Sequence, residues 1–219
     1  GFALLMKARA DDRRLFNEPP KLNVLSLQES KGLDAAALAM AINSGGTERV
    51  DVAQLRWLID TFEHAKTFGS LIKIGTQLSS NLRELLLIVE QAAQARDLYA
   101  QAAAQDLLPL VQQALVLGMQ FDAVVANPPY MGGRNGMNDA LKDYSESMFA
   151  SGKADIYASF IDRSLLSLKP GHGALSFITM EGWMFLPSFG EIRRRLQNDH
   201  AITSLLHLGP RAFETISGE

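Results

Sequence analysis

An α/β fold, an open sheet carrying a large helical insertion, is predicted by three features of the chain. The run Phe121-Asp122-Ala123-Val124-Val125-Ala126 has the length and the Val/Ala content of a buried strand, and it stops at Asn127-Pro128-Pro129-Tyr130. Further strand-like stretches stand at 22–28, 174–179 and 201–208, with helical patterns between them. Residues 31–120 carry helical patterns alone, far more chain than a plain crossover between parallel strands needs.

Each element has its own signal. Residues 2–16 predict an amphipathic helix with Phe2, Leu5, Met6 and Leu15 inward, broken by Pro19-Pro20. Leu22–Gln28 alternates as a strand with Leu22, Val24 and Leu27 toward the core. An Ala-rich helix over 33–43 ends at Ser44-Gly45-Gly46. From Asp51 to Phe68, Leu55, Leu58, Ile59, Phe62 and Ala65 recur at helical spacing, and Trp57 is read as a core anchor. Ser79, Ser80 or Asn81 can cap a helix bearing Leu82, Leu85, Leu86, Val89 and Ala93. Another helix covers about 100–117, with Pro109 as a kink or restart. His64 has no second His or carboxylate at metal spacing and is read as structural.

Beyond Tyr130, residues 131–152 read as a loop holding Arg134, Asn135, Asn138 and Lys142, whose cations can touch a phosphate but are more simply solvated. Asp155–Leu168 is an amphipathic helix stopped by Lys169-Pro170-Gly171. A strand at Ala174–Thr179 follows, then Trp183 and Phe185 at the rim of a site. Ser188 and Glu191 fit a capping box for a short helix. The consecutive Arg193, Arg194 and Arg195 fan out over different faces of that helix and read as solubilising. Ala201–Leu208 is the last strand.

Composition is that of an ordinary globular protein, 47% hydrophobic and 21% charged. A net charge of -3 provides no overall basic footprint for nucleic acid, so this segment is not expected to be the main DNA-gripping surface. Zero cysteines exclude disulfides and thiolate metal sites and fit a reducing cytosol. The opening Gly1–Met6 run is too short for a signal peptide or a membrane span. The chain starts without methionine inside a helical pattern and stops at Ser217-Gly218-Glu219, and it is read as a piece of a larger protein.

The chemistry concentrates at Asn127–Tyr130. Two prolines remove two backbone donors and fix two φ angles, so the strand ends there. The residue before a proline is held extended, which makes Asn127 a stiff polar group at a strand's carboxyl end, where open α/β sheets bind ligands. That geometry suits methyl transfer to a planar nitrogen. The lone pair of an adenine amine is delocalised into the ring, and two acceptors aimed at its N–H bonds draw it toward a more nucleophilic form. The Asn127 side-chain oxygen is one such acceptor and the carbonyl of Pro128 the other. Tyr130 offers a face for an extruded base to stack on. With a sulfonium donor, neither a metal nor a strong general base is required. The plainer alternative for Asn127–Tyr130 is a turn after a strand.

Asn127-Pro128-Pro129-Tyr130 behind Phe121–Val125 resembles the catalytic motif of S-adenosylmethionine-dependent amino-methyltransferases. The wider chain resembles the PglX family, the adenine-specific DNA methyltransferases of bacterial BREX-type phage defence. Gly1–Phe16, Tyr130–Asn138, Lys153–Lys169, Gly173–Trp183 and Ala201–Glu219 support the likeness. The resemblance implies a partial Rossmann-like methyltransferase sheet, with 1–30 and 121–219 in the catalytic domain and 31–120 a helical insertion subdomain. It implies catalytic roles for Asn127, Pro128, Pro129 and Tyr130, with the target base held between Tyr130 and Phe213. The cofactor is then S-adenosylmethionine. Its glycine-rich loop and ribose-binding acid are expected before Gly1, so this fragment alone should bind it weakly and be inactive. Double-stranded DNA and other defence proteins are the implied partners, in the cytoplasm, and the sequence reader is expected beyond Glu219. Protein glutamine methyltransferases carry a similar motif and provide one alternative. A non-catalytic helical scaffold of a defence complex is another.

Overall fold

The computed structural model describes residues 2–12, 23–45, 49–75, 79–131, 136–149 and 155–209. Helix α1 spans Phe2–Asp11, and Met6, expected inward, is exposed on it. The side chains of Phe2 and Leu5, and all of Leu15, lie outside the described residues.

A helical unit comes next: α2 (Ala35–Gly45), α3 (Val52–Phe62), α4 (Ala65–Phe68), α5 (Ser79–Ala93) and α6 (Leu98–Leu117). Asp51 and Asp97 cap α3 and α6 by accepting the N–H of Ala53 and Tyr99, satisfying amides that a helix start leaves without a partner. Asn81, one of the expected caps, lies inside α5, whose capping position is outside the described residues. The apolar stripes close into one core around Leu55, Leu58, Phe62, Leu82, Val89 and Leu107, with Trp57 packed at its margin. Helix α6 runs through Pro109 without restarting. The buried neighbours Leu107, Leu110, Val111 and Ala114 hold its two halves in line, against a proline penalty of about 3 kcal/mol. His64 sits at the α3–α4 break with its ring edge-on to Phe68, centroids 5.7 Å apart.

The expected strand at 22–28 is absent from its described part, 23–28. Instead of a sheet partner, the backbone of Gln28 finds a side chain. Its N–H donates to Gln113 Oε1 and its carbonyl accepts from Gln113 Nε2, each at 2.9 Å. Gln113 is buried on α6, so an amide side chain does the pairing of a neighbouring strand. Leu27 packs on the helical core, while Val24 stays exposed.

The second region is a strand–helix–strand unit. Strand β1 (Ala123–Ala126) pairs in parallel with β2 (Ala174–Phe177), Ala126 opposite Phe177. Between them lie α7 (Asp139–Met148) and α8 (Ile156–Leu166). Helix α7 occupies much of the stretch expected as loop, because Asn138 caps it by accepting the Leu141 N–H at 2.8 Å. The turn before β2 needs its glycines: Gly171 has φ +81°, and a Cβ on Gly173 would come within 2.7 Å of Leu168 Cβ. Lys169 in that turn is bonded to Asp122 at 2.8 Å and holds its carboxyl below the usual range.

After β2, short 3₁₀ turns at Glu181–Met184 and Pro187–Phe189 lead into α9 (Gly190–Asp199). Ser188 does not cap α9; the position before it is Phe189, which makes no side-chain cap bond. Nor is Ala201–Leu208 a strand: it forms no ladder, and Ile202, Leu205, Leu206 and Leu208 are exposed. The result is a mixed fold of many helices and a small parallel sheet.

The two regions meet through Arg163 of α8, which is buried. Its Nε donates to the Ile72 carbonyl at 3.0 Å, one Nη to the Leu117 carbonyl at the end of α6 at 2.7 Å, and the other to Ser167 Oγ. A cation at a helix C-terminus also complements the helix dipole. Phe68 of α4 stacks on Tyr144 of α7, ring centroids 4.1 Å apart.

Candidate active site

The pairing of β1 with β2 ends at Ala126 and Phe177, and the next residues of both strands share one spot. The prolines after Asn127 take the chain out of the ladder, with Pro128 buried beneath and Asn127 and Tyr130 exposed above. The ring of Tyr130 folds back over the strand ends. Its hydroxyl lies 2.9 Å from Asn127 Oδ1 and 3.1 Å from the Ile178 carbonyl, so a single proton is shared between two acceptors. Partial burial raises the Tyr130 pKa, which keeps that proton in place.

Asn127, Pro128, Pro129 and Tyr130 are therefore together at one strand end. Phe213, expected to face Tyr130 across the base, lies outside the described residues, as does Arg134. Lys142 is exposed on α7. Trp183 lines an open groove of about 1590 Å³ together with Asn127, Tyr130, Phe177 and Ile178. Phe185, expected beside it at the rim, is exposed and does not line that groove.

Several supporting groups were not foreseen. Arg193, read as solubilising, donates through one Nη to the carbonyls of Trp183 and Leu186, each at 2.7 Å, and so fixes the loop that carries Trp183. Arg195 pairs with the buried Asp162 at 3.0 Å. Behind Tyr130 stands Tyr157, its ring edge-on with centroids 6.0 Å apart. The Tyr157 hydroxyl is buried with no partner in hydrogen-bond geometry, and that burial, with the Asp155 charge nearby, pushes its pKa well up. A helix beginning at Asp155 was legible, but which ring Tyr157 on it would meet was not.

Chemically, the spot is a place for a donor. Two carbonyl-type oxygens converge on it, an aromatic ring stands over it, and a groove opens beside it. Among the described residues no helix is long and apolar enough to cross a membrane.

The chain belongs to the Eco57I restriction-modification methylase family, which it matches over residues 43–213, more than half its length. Over 238 aligned residues spanning the whole chain it is 39% identical to the adenine-specific methyltransferase BrxX of Escherichia coli O9:H4 (strain HS), of which it covers 20%. It is 30% identical, again over its full length, to the adenine-specific methyltransferase PglX of Lacticaseibacillus casei (strain Zhang), covering 18% of it. A shorter stretch, 30% of the chain, is 44% identical to the Type II methyltransferase M.PaeR7I of Pseudomonas aeruginosa and covers 11% of that protein. The chain thus spans about a fifth of the length of the curated relatives it matches from end to end.

Proposed function

We propose that this chain is part of an adenine-specific DNA methyltransferase of a BREX-type phage-defence system and carries the site for the acceptor amine. The observation behind this reading is the exposed Asn127 amide at the end of β1, whose Oδ1 already receives a donor hydroxyl at 2.9 Å. An extruded adenine would displace that hydroxyl. Its two amine N–H bonds would donate to Asn127 Oδ1 and to the Pro128 carbonyl, and Tyr130, freed from Asn127, would stack on its ring. Phe213 is the proposed second wall of the base pocket. The relatives' names favour adenine over a protein amide as the acceptor.

S-adenosylmethionine would supply an electrophilic methyl group on a sulfonium. The described residues offer groups for the acceptor half of that reaction, and we assign none of them to the glycine-rich turn and ribose-binding carboxylate of the donor half. Weak cofactor binding by this segment alone follows. The same reading makes the sheet part of a Rossmann-like catalytic domain formed by 1–30 and 121–219. The helical core of 35–117 is then a subdomain inserted at 31–120, and its apolar cluster, to which Leu27 alone of the described residues is added from outside that range, supports that assignment. Double-stranded DNA and other defence proteins are the partners it implies, in the cytoplasm.

The test is Asn127→Ala in the whole enzyme, with labelled methyl transfer to unmodified genomic DNA as the readout. Loss of one group aimed at the reacting centre should lower the rate by about 100-fold or more, with cofactor affinity unchanged. Wild-type transfer by this variant would sink the proposal.

A further inference from the structure

Met131 directly follows Tyr130, and its two peptide groups are fastened by two successive residues far along the chain, Asp155 and Ile156. Its N–H donates to Asp155 Oδ1 at 3.2 Å, and its carbonyl accepts the Ile156 N–H at 3.2 Å. The same Asp155 Oδ1 accepts the Tyr157 N–H at 3.1 Å and so caps α8. One carboxylate oxygen therefore joins the start of a helix to the end of the Asn127–Tyr130 loop. Tyr157 completes the support: its ring meets Tyr130 edge-on and stacks on Phe189, centroids 5.5 Å apart. The loop is thereby tied at both ends, to β1 before Asn127 and to α8 after Tyr130.

The cap alone does not need an aspartate that reaches Met131. Serine is as good at that position of a helix, and its shorter side chain could bond the Tyr157 N–H without spanning to the loop. Burial raises the Asp155 pKa, while the amides of Tyr157, Met131 and Ile156 act against that rise.

We infer that Asp155 is a positioning residue for methyl transfer: by holding the Met131 amide it sets the backbone of Tyr130, and with it the height of the ring over Asn127. This rests on the reading of Asn127 and Tyr130 given above. Asp155 does not touch the substrate. It acts through the loop, where a displacement of about 1 Å costs on the order of 100-fold in rate.

The experiment compares Asp155→Ser and Asp155→Asn in the whole enzyme, with Asn127→Ala in parallel. Single-turnover methyl transfer to unmodified genomic DNA, cofactor dissociation constant and melting temperature are measured for each. Asp155→Ser should keep the helix cap, the melting temperature and the cofactor affinity while transfer slows by about 10- to 100-fold. Asp155→Asn retains an acceptor oxygen long enough for Met131 and should recover most of the rate. Wild-type transfer by Asp155→Ser beside an inactive Asn127→Ala would overturn this inference alone. A slowing that merely tracks a lowered melting temperature in both Asp155 variants would overturn it too, leaving a structural cap. Should Asn127→Ala also transfer at the wild-type rate, the reading of the site itself falls.

Discussion

The helical region at 35–117 and the strand region at 121–209 are both rich in apolar residues, yet they bury them to different degrees. The helices bury Leu55, Leu58, Phe62, Val89, Leu107 and Val111 almost completely. In β1, Val125 remains 79% exposed, and in the segment after α9 Leu206 remains 80% exposed. A helix satisfies its backbone internally and needs only one stripe covered. A strand requires a partner on each edge, and strands of parallel sheets are normally covered on both faces. Two paired strands with helices packed nearby meet neither demand in full. The helical region has the larger buried core, although Met40 and Leu98 stay exposed on it, and the sheet is uncovered at Val125.

Removing core volume should separate the two most sharply. Phe62→Ala in the helical core is expected to destabilise the chain by about 3–5 kcal/mol, whereas Val125→Ala should change stability by less than about 0.5 kcal/mol, as at an ordinary surface position. Denaturant unfolding of both variants checks this, and comparable losses would mean that the sheet is as well packed as the bundle. Arg163→Met tests the joint between the regions. It strips the Ile72 and Leu117 carbonyls of a charged donor and should cost about 3 kcal/mol. Hydrogen exchange should speed up around 71–75 and at the end of α6 before the rest of the bundle opens. Among the buried positions, the smallest effect is expected at Tyr157→Phe. Deleting a buried hydroxyl that has no partner should leave stability unchanged or raise it by up to about 1 kcal/mol, and a clear drop in melting temperature would show that the hydroxyl is bonded in solution.

Legibility followed the kind of element more than the region. Helices α3, α5, α6 and α8 could be read from spacing, because the 3.6-residue period places Leu55, Leu58 and Phe62, or Leu82, Leu85 and Val89, on one stripe whatever surrounds them. The strand expected at 201–208 forms no ladder, and neither does 23–28, where one was predicted by alternation. Alternation says which side chains face together, but not where the hydrogen-bond partner comes from, and Gln28 took Gln113 instead of a strand. The run of arginines at 193–195 was read as surface because a helix spreads them over different faces. Only the fold could put the Trp183 and Leu186 carbonyls under Arg193 and Asp162 under Arg195.

Local chemistry determined the tip of β1: two prolines after an apolar run stop a strand and stiffen the asparagine before them, wherever the chain is placed. The sequence alone therefore put Asn127 and Tyr130 beside one another at a strand end. Tertiary structure decided what faces them. The Ile178 carbonyl, the ring of Tyr157 and the carboxylate of Asp155 arrive from residues 24 to 48 positions away along the chain. Contacts of that range depend on how β2 and α8 pack back against β1, which no pattern within a few residues encodes.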